Sequence, residues 1–127
     1  MEYKWTQSHT YSVLCILGSF QLEEESRLTA MTEMLAFARR HGEGIDARLA
    51  RYEIVRQRAA VEGQFVMSIE GCSLQILRAC GMQSQHLFTL LKPLNGRMPR
   101  DDQEFSVLCQ SLKRHGHVSE HVQGNIA

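Results

Sequence analysis

Gly42, Gly63, Gly81 and Gly116 cut the chain into stretches of helix length, and inside each stretch apolar residues recur at three- and four-residue steps. No other feature limits the fold as strongly. Such spacing defines one face of a helix, and a glycine just beyond it is a common stop. About six blocks follow. Ser8–Phe20 carries Val13, Leu14, Leu17 and Phe20, with Gly18 near its end. Leu22–His41 places Leu28, Met31, Leu35 and Ala38 on one face. Its acidic start (Glu23, Glu24, Glu25) and basic end (Arg39, Arg40, His41) complement the helix dipole, and Glu23 can pair with Arg27 one turn on. Ile45–Glu62 is the third block. Phe65–Cys80 is the fourth, with Ile69, Cys72, Ile76 and Cys80 on one side, although its opening QFVMSI also alternates like a strand. Ser84–Leu91, with a capping serine, stops before Pro93, and LNGRMP reads as a turn. Asp101, followed by Glu104 three positions on, opens a sixth block in the manner of a capping box. Phe105, Leu108 and Leu112 give that block its core face, and Gly116 closes it. The expectation is an all-α fold: one compact bundle of about five to six helices over residues 1–127, with a loose polar tail at 117–127.

Size and charge exclude several classes. A chain of 127 residues with 43% apolar content can bury a core without metal or disulfide support. Lys+Arg and Asp+Glu both number 14. That balance argues against nucleic-acid binding by this segment, which needs clustered positive charge. The longest apolar run, Val13–Leu17, is far short of the ~20 residues of a transmembrane helix, and no signal-peptide pattern precedes it. Cys15, Cys72, Cys80 and Cys109 all sit in apolar segments. Cys72 and Cys80, two turns apart on one helix, lie roughly 12 Å apart by helical rise, too far for a disulfide. The four read as buried free thiols of an intracellular, reducing compartment, with organelle targeting left open.

The third block carries the least ordinary pattern. Wound as a helix, HGEGIDARLARYEIVRQRAAVEG sets Ile45, Leu49, Tyr52 and Ala59 on one side, with Arg56 among them. Ala50, Ile54 and Val61 form a second apolar stripe nearly opposite, flanked by Arg51 and Arg58. A surface helix needs only one such stripe. Two imply either a central helix packed on both sides or a face offered to a partner. In the second case Ala50, Arg51, Ile54, Arg58 and Val61 are the partner-contact residues. Arg56 is expected to lay its stem over the core and reach a carboxylate or water. Arg51 and Arg58 are read as solvated charges.

Motifs for chemistry are sparse. His117 and His121 have the i, i+4 spacing that can hold a metal from one helix face, and Cys109 lies nearby. Gly116 falls where that helix is expected to end, and no HExxH pattern accompanies the pair. A solvated basic helix end is the plainer reading. No glycine-rich phosphate loop or nucleophile elbow occurs, so no catalytic residue and no cofactor are expected. Arg51, Tyr52 and Arg56 alone do not form a base-stacking platform.

The order of pieces resembles the capsid-like region of LTR-retrotransposon Gag proteins. An amphipathic helix is followed by GEGIDARLARYEIVRQRA and a further apolar helical stretch. Gly42, Glu43, Gly44 and Ile45 match the family's turn into a helix, and Arg51, Tyr52 and Arg56 match its arginine–aromatic pair and further arginine. The resemblance spans about residues 28–118. Gly44 stands where the family has serine, and neither the zinc knuckle nor the basic RNA-packaging tail is present. The resemblance implies helical self-association and leaves RNA packaging without support. The sequence thus points to a non-enzymatic protein–protein interaction module, self-associating or a small subunit of a larger complex. The alternative is a metal-binding regulator or enzyme built on the C-terminal Cys/His cluster.

Overall fold

The computed structural model describes the backbone of residues 22–122 and the side chains of residues 22–116. Within them the fold is all-α, with no strand among the described residues. The helices are α1 (22–35), α2 (Ile45–Val61), α3 (Ile69–Ala79), α4 (Ser84–Leu90) and α5 (Asp102–Val122), with a single 3-10 turn at Lys92–Leu94. None is long and apolar enough to cross a membrane. The expected first block, Ser8–Phe20, and Cys15 lie outside the described residues.

The longest helix, α5, is the hub: α2, α3, α4 and the 3-10 turn all pack on it. Its start is fixed by Asp101, whose Oδ1 accepts the Glu104 backbone N–H at 2.8 Å. Only half of a capping box forms, because the Glu104 carboxylate turns to Arg97 (2.6 and 2.9 Å) and the Arg100 N–H instead. Phe105, Leu108 and Leu112 are buried, as their spacing predicts.

Tyr52 stands at the centre. Its ring meets Phe37 edge-on at 4.9 Å and leans toward Phe105 at 6.2 Å. Its hydroxyl donates to Gln75 Oε1 at 2.9 Å, and the Gln75 amide donates to the Met34 carbonyl. One phenol thus ties together α2, α3, α5 and the end of α1. Burial pushes its pKa up, which keeps it a neutral donor.

Several boundaries differ from the spacing-based expectation. α1 ends at residue 35, not His41. Phe37 turns inward against Tyr52, and the Arg51 guanidinium takes the Ala38 carbonyl at 2.6 Å, so the chain leaves the helical path. The buried face of α1 is also rotated. Ala30 and Met34 point in, whereas Leu28 and Leu35 are 52% and 61% exposed. The flank of Ser26 and Glu33 is drawn to α2 by bonds to Glu62 and Arg58, which rolls the leucines outward. Arg27 pairs with Glu24, not Glu23. Most of QFVMSI (64–68) is neither strand nor helix but a connector, and α3 starts at its last residue, Ile69, after Ser68, whose hydroxyl accepts the Gly71 N–H at 3.0 Å. The cap of α4 is Gln83, not a serine.

Gly116 does not end α5, which continues to Val122. The segment expected as a loose tail from His117 is therefore helical for six more residues. The glycine serves packing instead: a Cβ there would sit 2.9 Å from Ile45 Cβ. The absent side chain lets the start of α2 lie directly on α5. Gly63 plays the same part at the other end of α2, where a Cβ would meet Met31 Cγ at 2.9 Å.

Candidate functional site

α2 is buried on one side and open on the other. Ile45, Leu49, Tyr52 and Ala59 lie in the core, as expected. Arg56 lies among them with its guanidinium carbon 5.1 Å from the Phe105 ring centroid and donates to Asp102 at 2.8 Å, the stem-over-core arrangement that the sequence suggests. Among the described residues nothing covers the opposite stripe. Ala50 is exposed, Ile54 is 65% exposed and Val61 76%. No described helix packs on that side of α2.

Ala47, Ala50, Ile54, Gln57 and Val61 all face outward. Their spacing alternates between three and four, so they line up along one edge of the helix. The two alanines keep the first half of this seam low. Beside the seam, between α2 and α5, lies a cleft of about 410 Å³ lined by Arg56, Gln57, Ala60, Phe65, Met67 and Phe105. It is wide enough for an anchoring side chain from a partner.

Of the flanking arginines Arg51 is largely buried, whereas Arg58 stays 39% exposed at the surface, as a solvated charge would. Arg51 holds Glu43 with two bonds, Nε to Oε2 at 2.7 Å and an NH2 bond to Oε1 at 2.9 Å, while its guanidinium carbon sits 4.2 Å over the Phe37 ring. The buried Arg48 donates to the Glu43 carbonyl at 2.7 Å, and its Nε lies 3.7 Å from the same carboxylate. With the Arg40 N–H added, these donors hold the Glu43 carboxyl at about 2, Arg51 contributing most. The GEG turn is thus clamped onto α2. Arg58 bridges Glu33 of α1 at 2.6 Å and Glu62 at 3.3 Å. Of the expected partner-contact residues, Arg51 is held within the chain, Arg58 is part-exposed in surface ion pairs, and Ala50, Ile54 and Val61 are exposed. Sequence reasoning missed the clamp because Glu43 and Arg51 are eight residues apart and meet only when the loop folds back. Glu43 standing just before the helix was the one available signal.

Among the described residues the thiols and histidines give no second centre. Cys72 is buried and Cys80 and Cys109 are half-buried, all three free. Burial pushes the Cys80 thiol up, with Arg48 opposing, and pushes Cys109 up to about 11; both are protonated at neutral pH, the opposite of an activated nucleophile. Among the described residues no group of three or more His, Cys, Asp and Glu is placed to hold a metal. His117 and His121 lie on the helical end of α5, and their side chains fall outside the described residues.

No family model matches the chain, and no curated protein or solved structure matches it.

Proposed function

We propose that this chain is a non-enzymatic helical module for protein–protein contact, working through the outward seam of α2. The observation that carries the reading is the open stripe of Ala50, Ile54 and Val61 directly opposite a fully packed core face. The core does not need this stripe, and its three–four spacing suits a helix laid along it. The seam is only about two heptads long, so the contact is weak unless a partner also anchors in the neighbouring cleft or several copies act together. Self-association in the manner of the Gag capsid region and docking as a small subunit of a larger complex both use this face. Three free thiols suit a reducing, intracellular setting.

Size-exclusion chromatography with light scattering across a concentration series tests the self-associating version. Wild type should grow in mass with concentration, and Ile54→Glu/Val61→Glu should stay monomeric with unchanged helicity. A photo-crosslinking residue at position 54 tests the subunit version inside cells and should give one discrete adduct. A wild-type monomer at every concentration together with no adduct ends the proposal.

A further inference from the structure

The outward seam of α2 carries surplus negative charge along both of its edges. On the edge toward α5, Arg56 is shared by Asp102 at 2.8 Å and Glu53 at 3.7 Å. On the edge toward α1, Arg58 is shared by Glu33 at 2.6 Å and Glu62 at 3.3 Å. Among the described residues each cluster sets two carboxylates against one guanidinium, which leaves one negative charge on either side of Ile54 and Val61. At the Ala50 end the charges balance, with Asp46 and Lys113 lining one shallow groove. The reverse surplus at Glu43 belongs to Arg48, which is buried on the core side of the helix. The seam is an apolar strip between two acidic edges.

The neighbouring cleft has the same character. Its floor is apolar, with Met34 and Phe105 buried and Phe65 and Met67 beside them, while Glu53 and Asp102 stand exposed at its mouth. A lysine or arginine matches that profile, because its stem is apolar and its end is cationic.

We propose that the occupant of the seam is a basic amphipathic helix of another protein. Its apolar face lies on Ala50, Ile54 and Val61, its cations meet the two acidic edges, and one long basic side chain enters the cleft. The inference rests on the reading of the seam as a contact face and names its partner. A second copy of this chain laid seam to seam would set acid against acid, which opposes association, whereas complementary charge favours it.

Nuclear magnetic resonance titration of the full chain with two designed peptides tests the proposal. One is a helix of about two and a half heptads, with leucine at three- and four-residue steps and lysine on both flanks; the other has glutamate for lysine. The lysine peptide should shift the Ala50, Ile54 and Val61 amides saturably and bind at least about tenfold more tightly than its twin. Raising the ionic strength from about 0.05 M to about 1 M should remove most of that preference. Glu53→Lys/Glu62→Lys should reverse it, and Ile54→Ser/Val61→Ser should weaken the lysine peptide about tenfold or more. Unchanged circular dichroism would show that these exposed substitutions leave the fold intact. Equal binding of the two peptides, or lysine-peptide binding that Ile54→Ser/Val61→Ser leaves unmoved, overturns the proposal. Crosslinks from position 54 onto residues 8–20 of the same molecule overturn it as well.

Its failure is separable from failure of the seam itself. Equal binding of both peptides on the seam, or growth of the wild type in mass that Ile54→Glu/Val61→Glu abolishes, removes only the basic partner. Binding of neither peptide at about 1 mM, with no growth in mass and no adduct in cells, removes both.

Discussion

The two faces of α2 are built from similar residues and end in opposite surroundings. The inner face, Ile45, Leu49, Tyr52 and Ala59, is buried, and even its polar atoms are used, with the Tyr52 hydroxyl bonded to Gln75. The outer face, Ala50, Ile54 and Val61, is bare. What separates them is not hydrophobicity, since isoleucine and alanine occur on both. The inner face carries the aromatic residue and lies where Gly63 and Gly116 allow close packing. Among the described residues the outer stripe has no such complementary neighbours, which is the contrast the proposed contact rests on.

Substitutions can break or sharpen this contrast. The largest loss should come from Tyr52→Ala, which leaves a cavity between Phe37 and Phe105 and strips Gln75 of its donor. It should cost about 3–5 kcal/mol in urea unfolding, a large share of the stability of a domain this size. Gly116→Ala is next. It drives a methyl into Ile45 and should cost about 1–3 kcal/mol, although alanine favours a helix over glycine by ~1 kcal/mol. A stabilised variant would show that the close approach of α2 and α5 is not enforced there.

Removing the charge of Glu43 comes third. Glu43→Gln should lose about 1–3 kcal/mol by breaking the clamp to Arg51. The wild type carries a pH signature of the same contact. The Glu43 carboxyl is at about 2 in the fold against an ordinary 4.5. Its contribution is therefore complete above 4.5 and is lost as pH falls from 4.5 toward 2. Urea midpoints measured across that window should fall more steeply for wild type than for Glu43→Gln, and parallel curves would remove the clamp from the account. The smallest effect on folding belongs to the outer face. Ile54→Glu should change stability by no more than about 0.5 kcal/mol while lowering association. A loss comparable to that of Tyr52→Ala would show that the outer stripe supports the fold itself.

Much of this was readable in the chain. The extent of α2, its inner face and the position of Arg56 over the core all follow from helical spacing, because each depends on residues within a few turns of one another. The Asp101 cap and the buried row Phe105, Leu108 and Leu112 follow for the same reason. α1 shows where such reading stops. Leu28 and Leu35 have the spacing of a core face, yet the partners of Ser26 and Glu33 on α2 decide how the helix is rolled. The role of Arg51 was equally hidden, since a surface charge and a clamp have the same local sequence.

Local order therefore belonged to the sequence: helix-length blocks, the ends of α2 and the existence of two stripes on it. Tertiary structure alone decided which stripe faces the described core, that Gly116 is a contact and not an end, and that Arg51 closes on Glu43. The physical reason is range. Periodicity and capping act over one or two turns, whereas burial, ion pairing and the shape of a groove depend on segments tens of residues apart meeting in space.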